Sequence, residues 1–172
     1  ALAVPDPSTG RYGGRFFRFD GAAWAPDQAV GDGFFPFPVR FVRGQPGEGW
    51  AASGGRLFHY ASGSWTYDET SPEGTQGLWM NGASDVWAGG FNGLWHHDGS
   101  AWSRVPLAPE LDAVVLGLHF LDANHGIAVS DWYTTPPPGG TAGVPVILVY
   151  DGGTWRSPMV TYGGGSGWGR PA

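Results

Sequence analysis

The sequence predicts an all-β fold, and three observations carry that prediction. The first is a pattern that occurs four times: Phe17-Arg18-Phe19-Asp20-Gly21-Ala22-Ala23-Trp24, Phe58-His59-Tyr60-Ala61-Ser62-Gly63-Ser64-Trp65, Trp95-His96-His97-Asp98-Gly99-Ser100-Ala101-Trp102 and Leu148-Val149-Tyr150-Asp151-Gly152-Gly153-Thr154-Trp155. In each copy a large apolar residue stands seven positions before Trp, with an aromatic or His third and a Gly-containing turn between. The closing tryptophans lie 41, 37 and 53 residues apart. The second observation is composition: 31 Gly and 15 Pro occur among 172 residues that are still 41% hydrophobic and 15% aromatic. A disordered chain lacks that apolar content, so the glycines read as turns between many short strands. The third is that no long run shows apolar spacing at i, i+3, i+4 without Gly or Pro breaking it, which leaves helix a minor component.

Taken in order, the strands fall into units of four. The first unit lacks its first strand: Ala1–Val4 matches a second strand, Arg15–Phe19 a third and Ala23–Ala25 a fourth. The second unit runs Phe37–Gly44, Gly49–Ser53, Arg56–Tyr60 and Ser64–Tyr67. The third runs Gly77–Gly82, Asp85–Gly90, Gly93–His97 and Ala101–Pro106, and the fourth Val114–Phe120, Gly126–Val129, Val146–Tyr150 and Thr154–Arg156. Gly, Asn and Asp separate the pieces, so each unit reads as an antiparallel meander. At Asp98-Gly99 the glycine takes the positive φ that a tight turn requires. In Asp85–Gly90 the small residues Ala88, Gly89 and Gly90 mark where another sheet packs closely.

Repeated four-stranded meanders of about 40 to 50 residues are the signature of a β-propeller, whose blades stack radially about an axis. The expected organisation is a single propeller domain, 1–172, of about four blades. Blade one takes 1–30 plus a C-terminal strand at about 158–170, blade two 34–70, blade three 77–106 and blade four 113–158. Either the C-terminal segment supplies the missing strand and closes a four-bladed ring, or the four blades are an arc of a larger ring. Gly163-Gly164-Gly165-Ser166-Gly167 makes a poor strand because it has no side chains to pack.

The pattern Asp85-Val86-Trp87-Ala88-Gly89, then His96-His97-Asp98-Gly99 and Trp102, resembles a large group of bacterial propeller repeats. Tyr150-Asp151-Gly152-Gly153-Thr154-Trp155 is similar to the Asp-box turn of sialidase-type and photosystem II assembly factor-type propellers. Phe120-Leu121-Asp122-Ala123-Asn124-His125-Gly126-Ile127-Ala128-Val129 is similar to the inner half of the latter repeats. The resemblance spans nearly the whole chain and implies a fold; it does not imply an activity.

Charge and composition exclude several classes. The nine positive charges are all Arg, against 15 acids, for a net charge of −6. That balance argues against a nucleic-acid footprint or a polybasic membrane patch. No apolar stretch approaches the roughly 18 residues of a membrane span. Without cysteine there is no disulfide, zinc-thiolate site or haem attachment through Cys-x-x-Cys-His. The chain opens Ala1-Leu2-Ala3-Val4, which reads as a processed mature protein or a piece of a longer one. A composition rich in Gly, Ala, Arg and Pro and free of Lys points to a high-GC bacterial source, with an extracellular, periplasmic or cell-surface location.

Trp24, Trp65, Trp102 and Trp155 resemble sugar platforms singly, but their regular recurrence makes inter-blade packing the economical role. Asp20, Asp98 and Asp151 read as turn residues accepting backbone N–H bonds; the second unit has Ala61 there, so the turn forms without a carboxylate. His96 and His97 are adjacent on one strand and point to opposite faces, so they do not share a metal. No metal or cofactor is expected. A glycosidase needs two carboxylates at a set separation, and this chain has four Glu and mostly turn aspartates. The sialidase resemblance implies three convergent arginines, a Tyr nucleophile with a Glu partner and an Arg-Ile-Pro motif, and no Arg-Ile-Pro occurs. Gly-x-Ser-x-Gly, P-loop and His-Glu-x-x-His motifs are also missing, so a non-catalytic role is expected.

Function is expected where the copies differ. Two units turn from second to third strand in a few residues, at Ser53-Gly54-Gly55 and at Gly89-Gly90-Phe91-Asn92. The fourth unit inserts 131–143 there and the first inserts 5–14, both on the face opposite the Asp-Gly hairpins. Long loops on a rigid scaffold concentrate function. Trp132, Tyr133, Tyr12 and Arg11 are residue types enriched in binding hot spots, and they are the candidate ligand-binding residues. The expected function is a non-catalytic module of an exported or surface-associated bacterial protein, binding a protein partner or sitting in a larger assembly. Lectin-like glycan binding is the first alternative, and a sialidase-like or other propeller hydrolase the second.

Overall fold

The computed structural model describes residues 2–5, 12–32, 40–41, 47–107, 114–131 and 146–158. All regular elements among them are β-strands. The first nine are β1 (Leu2–Pro5), β2 (Tyr12–Phe19), β3 (Trp24–Asp32), β4 (Arg40–Phe41), β5 (Gly49–Ser53), β6 (Arg56–Ala61), β7 (Ser64–Tyr67), β8 (Thr75–Gly82) and β9 (Asp85–Gly90). The rest are β10 (Gly93–His97), β11 (Trp102–Arg104), β12 (Val114–Asp122), β13 (His125–Asp131), β14 (Val146–Tyr150) and β15 (Trp155–Arg156). They form four antiparallel sheets, ordered β1-β2-β3, β4-β5-β6-β7, β8-β9-β10-β11 and β12-β13-β14-β15 when each is read in chain order. Strands adjacent in a sheet are adjacent in sequence, so every sheet is the expected meander.

The Asp-Gly hairpins close as their chemistry requires. Asp98 Oδ1 accepts hydrogen bonds from the Ser100 and Ala101 N–H groups at 2.8 and 3.0 Å, and Gly99 carries a φ of 95°. Asp20 does the same for Ala22 and Ala23 at 2.8 and 2.9 Å. Where Ala61 replaces the aspartate the turn changes. Only Ser62 and Gly63 separate β6 from β7, both at positive φ, 53° and 83°. This is a two-residue hairpin whose backbone twist suits paired strands without a capping carboxylate.

Alternation along the strands gives each sheet two packing faces. In the third sheet Leu78, Met80, Val86 and Ala88 face the second sheet and pack with its Trp50, Ala52 and Leu57. Trp87 and Leu94 point the other way, onto Val115, Phe120, Ala128, Leu148 and Trp155 of the fourth sheet. A further cluster of Ala51, Phe58 and Trp65 covers the opposite face of the second sheet. A buried Leu or Val contributes about 1.5–3 kcal/mol by leaving water, and Leu57, Leu94, Leu148, Val86 and Val115 are almost wholly buried.

The first strands of the third and fourth sheets, β8 and β12, touch backbone to backbone. A Cβ at Gly77 would stand 3.0 Å from the Gly117 Cα. A Cβ at Gly89 would overlap the Val115 side chain. The small residues of β9 therefore sit where close packing was expected. Both β8 and β12 also carry two register shifts, which increase local twist.

Some expectations need correction. The sequence predicts Tyr12 in a loop, but its backbone lies in β2 opposite Pro5, because the β1–β2 ladder continues through Gly13 and Gly14. The fourth strand of the first unit was expected to be short; β3 instead runs to Asp32, with register shifts opposite β2. The repeat predicts Trp24 in packing with its sister tryptophans, yet it is exposed and touches Phe19, its own cross-strand partner. The proposed C-terminal strand at about 158–170 lies almost wholly outside the described residues.

Candidate interaction face

The turns between second and third strands and the links between sheets gather on one face. The link from β7 to β8 is bonded to the turns on either side of it. The Thr75 N–H donates to the Gly55 carbonyl and the Phe91 N–H to the Gly74 carbonyl, both at 3.2 Å. A Cβ at Gly55 would stand 3.1 Å from the Gly74 Cα, and one at Gly74 would stand 3.1 Å from the Phe91 ring. Gly74 thus combines a φ of 76° with contact beneath an aromatic ring, a pairing only glycine meets without strain. Phe91, carried on this platform, is largely exposed.

Its neighbour Asn92 fixes the turn from three directions. Asn92 Nδ2 donates to the Glu73 carbonyl at 3.1 Å. Its own carbonyl accepts from Trp95 Nε1 at 3.2 Å and from Arg104 Nε at 3.3 Å. The result is a presented Phe with a Trp and an Arg held beside it, residue types that anchor protein interfaces. The turn that carries Phe91 is short, so its length does not mark it as a candidate in the sequence. The signal was present in Gly90-Phe91-Asn92-Gly93, where a large apolar side chain interrupts a run of turn residues and has no strand face to hide in.

Of the four candidate residues, Arg11, Trp132 and Tyr133 lie outside the described residues, and Tyr12 is described in its backbone alone. The segment holding Trp132 and Tyr133 leaves β13 after Asp131 and re-enters the fold at Val146, and it is therefore a second-to-third-strand connection like the one that carries Phe91.

The histidines separate as alternation requires. His96 stacks near Trp87, ring centroids 4.3 Å apart, and its Nε2 lies 2.9 Å from Asp85 Oδ1. His97 lies over Trp50 and Trp102 at 5.2 and 5.1 Å, on the other side of the sheet. Among the described residues no group of three or more potential ligands is placed to hold a metal ion. His59 repeats the arrangement of His96, stacked 4.4 Å from Trp50 and 3.1 Å from Glu48.

Titration follows structure. Burial alone would raise the Asp68 pKa, but hydrogen bonds from Thr70 and from Trp102 Nε1 outweigh it and hold the carboxyl below its usual range. Hydrogen bonds within the turns lower Asp98, chiefly from Ser100, and likewise Asp20, Asp122 and Asp151, chiefly from Ala23, Asn124 and Thr154. Burial pushes His97 down, and its Nδ1 accepts the Gly99 N–H at 3.1 Å, a bond that a protonated ring loses. Burial raises Tyr150. Each of these shifts stems from a turn or a sheet junction.

No family model matches the chain, and no curated protein matches it. Solved structures do match. YCF48 bound to D1 peptide aligns over 77% of this chain with a TM-score of 0.51 at 16% sequence identity. Four meandering sheets, of which the second, third and fourth pack face on face, and likeness to that propeller settle the architecture. The fold is a β-propeller. The chain spans 44% of the length of the YCF48 chain. Its sheets are propeller blades, and the face that carries Phe91 is the one from which the second-to-third-strand connections project. No helix among the described residues is long and apolar enough to cross a membrane.

Proposed function

We propose that this chain is a non-catalytic, protein-binding propeller module of an exported or surface-associated bacterial protein. It takes a peptide segment on the face presenting Phe91, with Arg11, Tyr12, Trp132 and Tyr133 as further candidate contacts. The observation that carries the proposal is the exposed Phe91 ring on its glycine platform, braced by Trp95 and Arg104 through Asn92. A rigid aromatic anchor binds at low entropic cost because it is already ordered. The D1 peptide held by the YCF48 propeller supports the same class of ligand.

Selection of displayed peptides on the purified chain tests the proposal. Recovered peptides should bind Phe91→Ala at least tenfold more weakly, with the unfolding midpoint unchanged. Peptide binding that ignores both Phe91→Ala and Trp132→Ala would move the site elsewhere. A positive glycan array with no peptide recovered would replace the proposal with a lectin role, and turnover of chromogenic glycosides would overturn the non-catalytic assignment.

A further inference from the structure

The link between β7 and β8, residues 68–74, is the plate on which Phe91 stands, and one side chain shapes it. Asp68 Oδ1 accepts the Thr70 N–H at 2.9 Å and the Thr70 hydroxyl at 2.6 Å. An aspartate suits this turn because its carboxylate reaches the N–H two residues on. The Asp68 carbonyl accepts the Ser71 N–H at 3.2 Å and the Ser71 hydroxyl at 2.7 Å, and the Asp68 N–H donates to the Leu57 carbonyl at 3.1 Å. Further along, the buried Thr75 hydroxyl donates to the Pro72 carbonyl at 3.0 Å. The link has no strand ladder of its own, and these bonds take its place.

The second carboxylate oxygen reaches another blade. At the junctions of blades two, three and four, an outgoing Trp from the second strand of one blade meets the incoming hairpin Trp of the next. Trp50 meets Trp102 at 5.3 Å, and Trp87 meets Trp155 at 5.7 Å. Asp68 Oδ2 accepts the Trp102 indole N–H at 2.9 Å. Trp102 and Arg104 stand two apart on β11, so both leave the same side of that strand. Arg104 holds the Asn92 carbonyl, and Trp102 holds the link through Asp68. Blade three has Val105 where blade two has Asp68, and the Trp87–Trp155 contact forms there without a carboxylate. The tryptophan pair therefore does not require Asp68; what the carboxylate adds is a fixed link.

We propose that Asp68 is the positioning residue of the Phe91 face, acting through the link and not by touching the ligand. This role rests on Phe91 being the anchor for a peptide. The link that Asp68 shapes ends at Glu73 and Gly74, whose carbonyls accept from Asn92 Nδ2 and from the Phe91 N–H at 3.1 and 3.2 Å. Gly74 also lies directly beneath the Phe91 ring, so a link that shifts takes the anchor with it. With the link pinned at Asp68, an arriving peptide meets a site that is already ordered. Ordering even one loosened residue on binding costs about tenfold in affinity.

Amide hydrogen exchange of the free chain tests the positioning without any ligand. In Asp68→Ala the Phe91 and Thr75 amides should exchange about tenfold faster relative to the Val105 amide, which bonds Leu94 within blade three. Equal acceleration of all three is a general loss of stability and overturns the role. The second measurement is affinity for a peptide selected on the wild-type chain. Asp68→Ala should weaken it about tenfold. Asp68→Asn keeps an acceptor for the Thr70 N–H and should weaken it less. In the Phe91→Ala background Asp68→Ala should cost nothing further, because a residue that acts through the ring loses its effect with the ring. An additive loss makes Asp68 a contact residue and overturns the positioning. A peptide weakened by Phe91→Ala but indifferent to Asp68→Ala also overturns it, and leaves the peptide-binding function standing. A peptide indifferent to Phe91→Ala overturns that function instead, and the exchange rates still decide whether Asp68 sets the link. If Asp68→Ala fails to fold, Asp68→Asn serves for both measurements.

Discussion

The junction between blades two and three and the junction between blades three and four solve one packing problem with different polar chemistry. Each sets two tryptophans edge to face, at 88° and 69°. In the first, the incoming Trp102 donates to Asp68 at 2.9 Å, while the buried Trp50 N–H has no hydrogen-bond partner among the described residues. In the second the roles reverse: the outgoing Trp87 donates to Asp85 at 2.6 Å, and the buried Trp155 N–H has no partner among the described residues. Sequence position accounts for the reversal. The residue three after the hairpin Trp is Asp68 in blade two and Val105 in blade three, and Val105 packs against the apolar cluster. The residue two before the outgoing Trp is Glu48 in blade two and Asp85 in blade three; Glu48 bonds His59, whereas Asp85 serves both His96 and Trp87. Each junction therefore satisfies one indole of two, and aromatic burial carries the remainder.

The largest effect should come from removing the outgoing tryptophans. Trp50→Ala and Trp87→Ala should each cost about 3–5 kcal/mol, the range for a buried aromatic cut to Ala. Chemical denaturation of both variants checks this, and Trp87→Ala should be the costlier by about 1 kcal/mol, because its indole also donates to Asp85 whereas the Trp50 N–H has no partner among the described residues. If Trp50→Ala proves cheap while Trp87→Ala does not, the equivalence of the junctions fails.

Next in size is the contact two residues beyond each outgoing Trp. Blade two has Ala52 there and blade three has Gly89. A methyl group at Gly89 overlaps Val115, so Gly89→Ala should destabilise by about 1–3 kcal/mol through overpacking, although the other junction accommodates the same methyl. An unfolding midpoint equal to wild type would show that the fourth blade shifts outward without penalty.

Comparison of these sites shows what the sequence disclosed. Hairpins, strand order and the packing role of Trp102 and Trp155 were legible, because a repeated turn and an alternating strand are local and periodic. The outgoing Trp50 and Trp87 were seen only as parts of a strand, since blade four breaks their pattern with Ile127. Exposure of Trp24 was illegible for a different reason: burial depends on what the neighbouring blade supplies, and the repeat is identical whether or not a neighbour is there. On the candidate face, length singled out the connections holding Arg11, Trp132 and Tyr133. Phe91 escapes because its exposure follows from Gly74 packing beneath its ring and Gly55 packing on Gly74, contacts between residues 17 and 19 positions apart.

A smaller effect separates the two incoming tryptophans. Trp102→Phe removes the donor whose hydrogen bond Asp68 accepts, whereas Trp155→Phe removes an N–H that has no partner among the described residues. Both leave a similar cavity, so the difference between the variants isolates the hydrogen bond. Trp102→Phe should be the costlier by about 1 kcal/mol, the ordinary net worth of such a bond, held down because water reaches Asp68. Equal costs in urea titrations would mean that solvent replaces the indole at Asp68 without loss.

The smallest expected difference is one of pH, and it rests on the residue five before each incoming Trp: His97 in one junction, Tyr150 in the other. Burial lowers the folded pKa of His97 below its ordinary 6.5, so the unfolded chain takes up the proton first as pH falls. The stabilising contribution is complete above about pH 6.5 and is lost as pH falls through the folded value. The lowered carboxyls Asp20, Asp68, Asp98, Asp122 and Asp151 act in the same direction but only below about 3.8, the ordinary value from which each is depressed. Between pH 7.5 and 5 the two windows stay apart. His97→Tyr copies the blade-four residue into the blade-three hairpin and should flatten the loss of stability over that range, read as the difference between urea midpoints at the two pH values. Histidines common to both proteins cancel in that comparison. An undiminished slope in the variant would place the acid sensitivity outside this junction and leave the two junctions electrostatically alike.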